Sequence, residues 1–117
     1  MRVAFLVILC IMAATSAQAQ STAKIVGIGA QTCAAFNEEL ISNQEAEYYY
    51  FAWAQGFMSG ALIRAPAGYD EGLDLTPPSV PLQTQVKLLR TFCANNPDSD
   101  YMDAVRALYR RLRGIGI

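Results

Sequence analysis

Between Glu47 and Arg64 the chain runs for sixteen residues, "YYYFAWAQGFMSGALI", without a charge. Apolar residues recur three and four apart along it. Ala46, Tyr50, Trp53, Phe57 and Ala61 make one stripe, and Phe51, Ala54, Met58 and Leu62 make another. That period is helical. A helix of this length rises about 24 Å, short of a hydrocarbon core of about 30 Å. Gln55 and Ser59 near its middle, and three tyrosines at one end, also argue against a membrane span. A helix apolar nearly all round is expected at the centre of a core. Ala52, Gly56 and Gly60, spaced by four, predict a narrow groove where a second helix crosses. The surplus of aromatic surface makes Tyr48, Tyr49, Phe51, Trp53, Phe57 and Met58 the candidate contacts for a client or partner protein.

The segments around this helix read as further helices. Thr32 predicts an N-cap for "CAAFNEEL", in which Phe36 and Leu40 recur four apart. "SNQE" at 42–45 has the capping-box order and predicts the long helix over about 43–64, with Ser42 as its cap and Glu45 three residues on. "APAGYDEGLDLTPPSVP", 65–81, is loop by composition, and Pro81 suits the first turn of a third helix. There Leu82, Val86, Leu89 and Cys93 share one face, with Leu88 and Phe92 beside it. "NNP" at 95–97 stops that helix, and a fourth is predicted from about Asp100 with Val105, Leu108 and Leu112 inward. Arg106, Arg110, Arg111 and Arg113 gather at its end, where cations oppose the helix dipole. With no strand pattern and no repeat, the expected fold is all-α, a small bundle of four helices.

The N-terminus reads as an export signal. Arg2 gives a positive start, Val3 to Ala14 carry no charge, and Ala17-Gln18-Ala19 supplies the small-x-small pattern of a cleavage site. Residues 1–19 are therefore expected to be a signal peptide, cut after Ala19, and 20–117 a single helical domain in the periplasm or secreted. Cys10 would leave with the signal. Cys33 and Cys93 remain, sixty residues apart, in a chain that meets oxidising conditions. A disulfide between them is expected, since the spacing is far from C-x-x-C and the chain has no histidine to complete a metal pair. Closing so long a loop stabilises a fold by roughly 4 kcal/mol on chain-entropy grounds.

Chemistry is hard to find. The absence of histidine removes the commonest general base and metal ligand together. Glu38 and Glu39, and likewise Glu45 and Glu47, read as solvated acids of helix first turns. Asp98, Asp100 and Asp103 lack the glycine and later glutamate of a calcium loop and read as capping residues. Gly27-Ile28-Gly29 lacks the third glycine of a dinucleotide site. No enzyme activity, cofactor or metal is expected. The mature chain would carry eight basic and ten acidic side chains, a net charge of about −2. That balance does not favour nucleic acid.

"TCAAF" opening the first helix, "FAW" in the middle and "LLRTFCANNP" followed by "DYMDAV" resemble the HdeA/HdeB group of small periplasmic acid-stress chaperones. The two cysteines fall at that family's disulfide positions. The resemblance implies a holdase that binds unfolded clients in acid through the apolar helix 48–63. A homodimer is a further partner expectation. "GFMSG" is also similar to the Tai-type immunity proteins that block secreted cell-wall amidases, which implies a constitutive inhibitor inserting the acidic loop 65–80 into a partner's cleft. An exported helical domain of unrelated role is the third reading. Charge permits the first. In strong acid the carboxylates neutralise and the mature net charge moves from about −2 to about +8, opposing compactness.

Overall fold

In the computed structural model, which describes residues 24–114, a 3-10 turn at Ile28–Ala30 is followed by four helices. These are α1 (Cys33–Ser42), α2 (Ala46–Arg64), α3 (Leu82–Asn95) and α4 (Tyr101–Leu112). The described residues contain no strand, only one isolated bridge between Thr32 and Asp100. The fold is all-α, and the Cys33–Cys93 disulfide joins the first residue of α1 to the last full turn of α3 across a Cα–Cα distance of 4.7 Å. The expected signal peptide and its cleavage site lie outside the described residues.

The start of α1 is fixed by more than the disulfide. A helix N-terminus leaves backbone donors without partners. Here Thr32 Oγ1 accepts from the Ala35 amide, and the amides of Cys33 and Ala34 donate to the carbonyls of Ser99 and Pro97 in the α3–α4 turn. The Tyr101 amide in turn donates to the Gln31 carbonyl. The turn between α3 and α4 thus serves as the cap of α1. Asp100 and Asp103 form a reciprocal capping box at the start of α4, the structural role expected of them.

Between α1 and α2 the outcome differs from expectation. Ser42 is the last residue of α1, and its hydroxyl donates to the Glu39 carbonyl. Asn43 does both jobs instead. Its backbone closes α1 by donating to Glu39, and its side-chain oxygen accepts from the Glu45 amide to start the next helix. The Ser42–Glu45 capping box is not formed because α1 continues for two residues past Leu40, the end of its predicted apolar pattern, and takes in Ser42.

The core is built on three rings. Phe36 from α1, Tyr50 from α2 and Tyr101 from α4 meet with centroids 4.8 to 5.0 Å apart, tilted or edge to face. Such pairs contribute about 0.5–1.5 kcal/mol each beyond their burial. The Tyr50 hydroxyl donates to Glu39, and burial together with that carboxylate pushes its pKa up to about 12. Ala54, Met58, Leu89, Val105 and Leu108 fill the space around the rings.

Two further expectations are corrected. On α3 the buried face is Gln85, Leu89 and Cys93, while Leu82 is exposed and Val86 half-buried. The loop over 65–80 crosses the start of α3, and Gln85 Nε2 binds it by donating to the carbonyls of Leu75 and Val80 at 2.8 and 3.0 Å. On α2, Ala52, Gly56 and Gly60 line no crossing groove. All three are exposed, and a Cβ built at either glycine would meet nothing within 4 Å. The helix is a wall of the bundle rather than its hub, because α1, α4 and the 3-10 turn cover one side of it only.

Candidate functional site

α3 packs against α1 and α4, and α2 against α1, α4 and the 3-10 turn, so α2 and α3 meet only at their margins. The space between them is an open groove of about 480 Å³. Phe51 of α2 and Leu82 and Val86 of α3 supply its apolar walls, and Gln55 and Gln83 its uncharged polar edge. Tyr48, 72% exposed, stands at one end beside Glu47 and Arg90. Beyond that end a second hollow of about 630 Å³ continues past Leu40, Gln44 and Glu45.

The two hollows share Glu47, Tyr48 and Arg90. Arg90 Nε and Nη2 donate to the two Glu47 oxygens at 2.7 and 2.6 Å, a bidentate bond from α3 to α2. The Glu47 hydrogen bond and charge raise the Arg90 pKa further, so the guanidinium is charged at every working pH. The pair divides an apolar trough from a polar one.

The six candidate binding residues separate into four groups. Tyr48 and Phe51 belong to the groove, the first exposed and the second almost buried as its floor. Tyr49 is exposed on the outward face of α2. Trp53 and Phe57 stack at 5.2 Å and are half-buried under the N-terminal segment, where Trp53 Nε1 donates to the Val26 carbonyl. Gly27 and Gly29 lie against the Trp53 ring. Met58 is 1% exposed and belongs to the core, so it offers a partner nothing in this form. Trp53, backed by Phe57, holds the fold's N-terminal strap.

Sequence reasoning missed the α3 wall and the Glu47–Arg90 pair. Glu47 and Arg90 flank apolar stretches on separate helices, and nothing in the spacing joins them. The exposed, uncharged Gln83 three residues from Val86 was the available signal. It missed a second pairing as well. Asp70, in the left-handed backbone region at φ 56°, accepts from Tyr109 Oη at 2.7 Å and from Arg113 Nε at 2.5 Å. The Tyr109 hydrogen bond first, and the Arg113 hydrogen bond and charge after it, hold the Asp70 carboxyl below the usual carboxylate range against the opposing effect of desolvation. The arginine cluster at the end of α4 is thus partly a latch for the acidic loop.

Among the described residues no three acidic or cysteine side chains stand close enough to hold a metal ion. None of the described helices is long and apolar enough to cross a membrane. Comparison with family models, curated proteins and solved structures gives no match for this chain.

Proposed function

We propose that this chain is an exported, periplasmic, non-enzymatic protein that holds unfolded clients, an acid-stress chaperone of the HdeA/HdeB kind, with the α2–α3 groove as its client site. The groove carries the reading. It offers an apolar floor at the surface, its size suits one or two large side chains, and glutamine amides on its edge can bond an extended backbone. Acid adds the drive, because neutralised carboxylates leave the chain strongly cationic and loosen the loop held by Asp70. The disulfide limits how far the chain then opens. The test is suppression of client aggregation in acid by wild type and by Leu82→Lys and Val86→Lys, both at solvent-accessible groove positions.

A second reading draws support from the loop. Asp70 is bonded to α4, and the carbonyls of Leu75 and Val80 are bonded to Gln85, so the loop holds one shape with Tyr69 and Glu71 exposed. A pre-ordered acidic loop suits constitutive inhibition of a secreted hydrolase, since little ordering cost remains on binding. Tyr69→Ala would abolish that activity and leave client holding intact.

A further inference from the structure

We infer that the hollow between α3 and α4 binds a free medium-chain fatty acid, its carboxylate on Arg111 and its alkyl chain along Leu88 and Leu108. The site is separate from the α2–α3 groove, and the inference does not rest on client holding. The hollow has a volume of about 220 Å³. Leu88 and Phe92 of α3 line it together with Ala104, Ala107 and Leu108 of α4. Thr91, Asn95 and Asn96 are exposed on its rim and carry no charge. The two alanines account for the space. Side chains this short leave Leu88 and Phe92 on α3 only half-buried, although both belong to the margin of the core.

Charge decides the occupant. Around α4, Ala104, Ala107 and Leu108 fall within about 100° of one another, and Arg111 follows on the same stripe one turn later. Arg111 is exposed and forms no ion pair among the described residues. Lys87, also exposed and unpaired there, precedes Leu88 on α3. The chain turns back between α3 and α4 over residues 96–100, so Lys87 and Arg111 stand at the same end of the hollow. The nearby acids, Asp98, Asp100 and Asp103, belong to the opposite end, where Asp103 is engaged by the capping box and by Arg106. An anionic head is therefore drawn to one end only. The end of α4 contributes about half a negative charge, which the full charges of Arg110 and Arg111 outweigh. A guanidinium also matches a carboxylate with two parallel hydrogen bonds. From Leu88 to Asn95 the helix rises about 10 Å, a run that suits an alkyl chain of medium length. The volume lies below the roughly 300–1,000 Å³ of drug-sized sites, so it takes one slim chain and not the two chains of a phospholipid.

The test uses the folded chain with its native disulfide at neutral pH, where carboxylic acids are ionised. Titration with octanoate should shift the methyl resonances of Leu88 and Leu108 to saturation and leave those of Leu82 and Val86, in the α2–α3 groove, unmoved. Affinity should rise about fourfold per methylene from butanoate to octanoate and level off with dodecanoate, as the chain outgrows the hollow. Arg111→Gln should weaken octanoate about tenfold, while octanol binding and the melting temperature stay those of wild type. Thr91→Trp, at an exposed rim position, should block octanoate and octanol alike. No saturable shift at Leu88 and Leu108, or a shift that appears first at Leu82 and Val86, overturns the proposal. So does Arg111→Gln that holds octanoate as tightly as wild type. Binding to phosphatidylglycerol vesicles without binding of octanoate would assign the hollow to a membrane surface and overturns it too.

Discussion

Arg90 on α3 grips Glu47 on α2 with two hydrogen bonds, 43 residues apart in the chain, at the boundary between an apolar and a polar hollow. The Arg90 side chain is 53% exposed, so solvent screens the pair and its stabilisation is small. Arg90→Met should therefore cost about 0.5 kcal/mol or less in urea unfolding. Removing the divider should also lengthen the trough and raise client holding at neutral pH. A loss of several kcal/mol would mean that the pair holds the fold and not merely the groove.

Gly29→Ala should be far more costly than its location near the N-terminus suggests. A Cβ there would lie 2.1 Å from the Trp53 ring, and the neighbour is a rigid indole packed on Phe57. Overpacking of this kind costs about 1–3 kcal/mol. The Trp53 bond to the Val26 carbonyl should break and the emission of this single tryptophan should move to the red. Wild-type emission and midpoint in the variant would show that the strap does not rest on Trp53.

Gly56→Ala should act in the opposite direction. The position is interior to α2 and open, so only the helix preference for alanine operates, worth about 1 kcal/mol. The variant should show a higher denaturation midpoint. A lower midpoint would require a packing partner within the chain.

These two glycines show what the sequence could convey. Both sit in uncharged stretches, yet one is packed and the other bare. The all-α class, the Thr32 cap, the disulfide and the inward residues of α4 were legible, because each rests on a local pattern or on counting. The exposed face of α2 was not, since a helix without charges carries no polar side to mark the solvent. Gln85, 0% exposed, was equally hidden. Its burial depends on loop carbonyls that arrive from residues 75 and 80. Glu47–Arg90 and Asp70–Arg113 escaped for the same reason. Each joins elements whose approach only the tertiary fold decides.

Asp70 makes stability depend on pH in a defined window. Its carboxyl pKa is lowered in the folded chain by Tyr109 and then Arg113. The resulting stabilisation is complete above the unfolded value of about 4 and is lost as pH falls through the folded value. Asp70→Asn should melt below wild type at neutral pH, and the gap should close in strong acid. A gap of constant size from neutral to strongly acid pH would show that the ionised Asp70 does not hold the loop.

Light scattering from an aggregating client, followed at neutral pH and below about pH 4, tests the central claim most directly. Lysine is the appropriate groove substitution because it stays charged in acid, where glutamate would not. Wild type should suppress aggregation only in acid, and Leu82→Lys with Val86→Lys should remove that suppression while the neutral-pH Trp53 spectrum stays that of wild type. Suppression undiminished in the double variant, or absent from wild type at both pH values, would contradict the assignment of the α2–α3 groove as an acid-dependent client site.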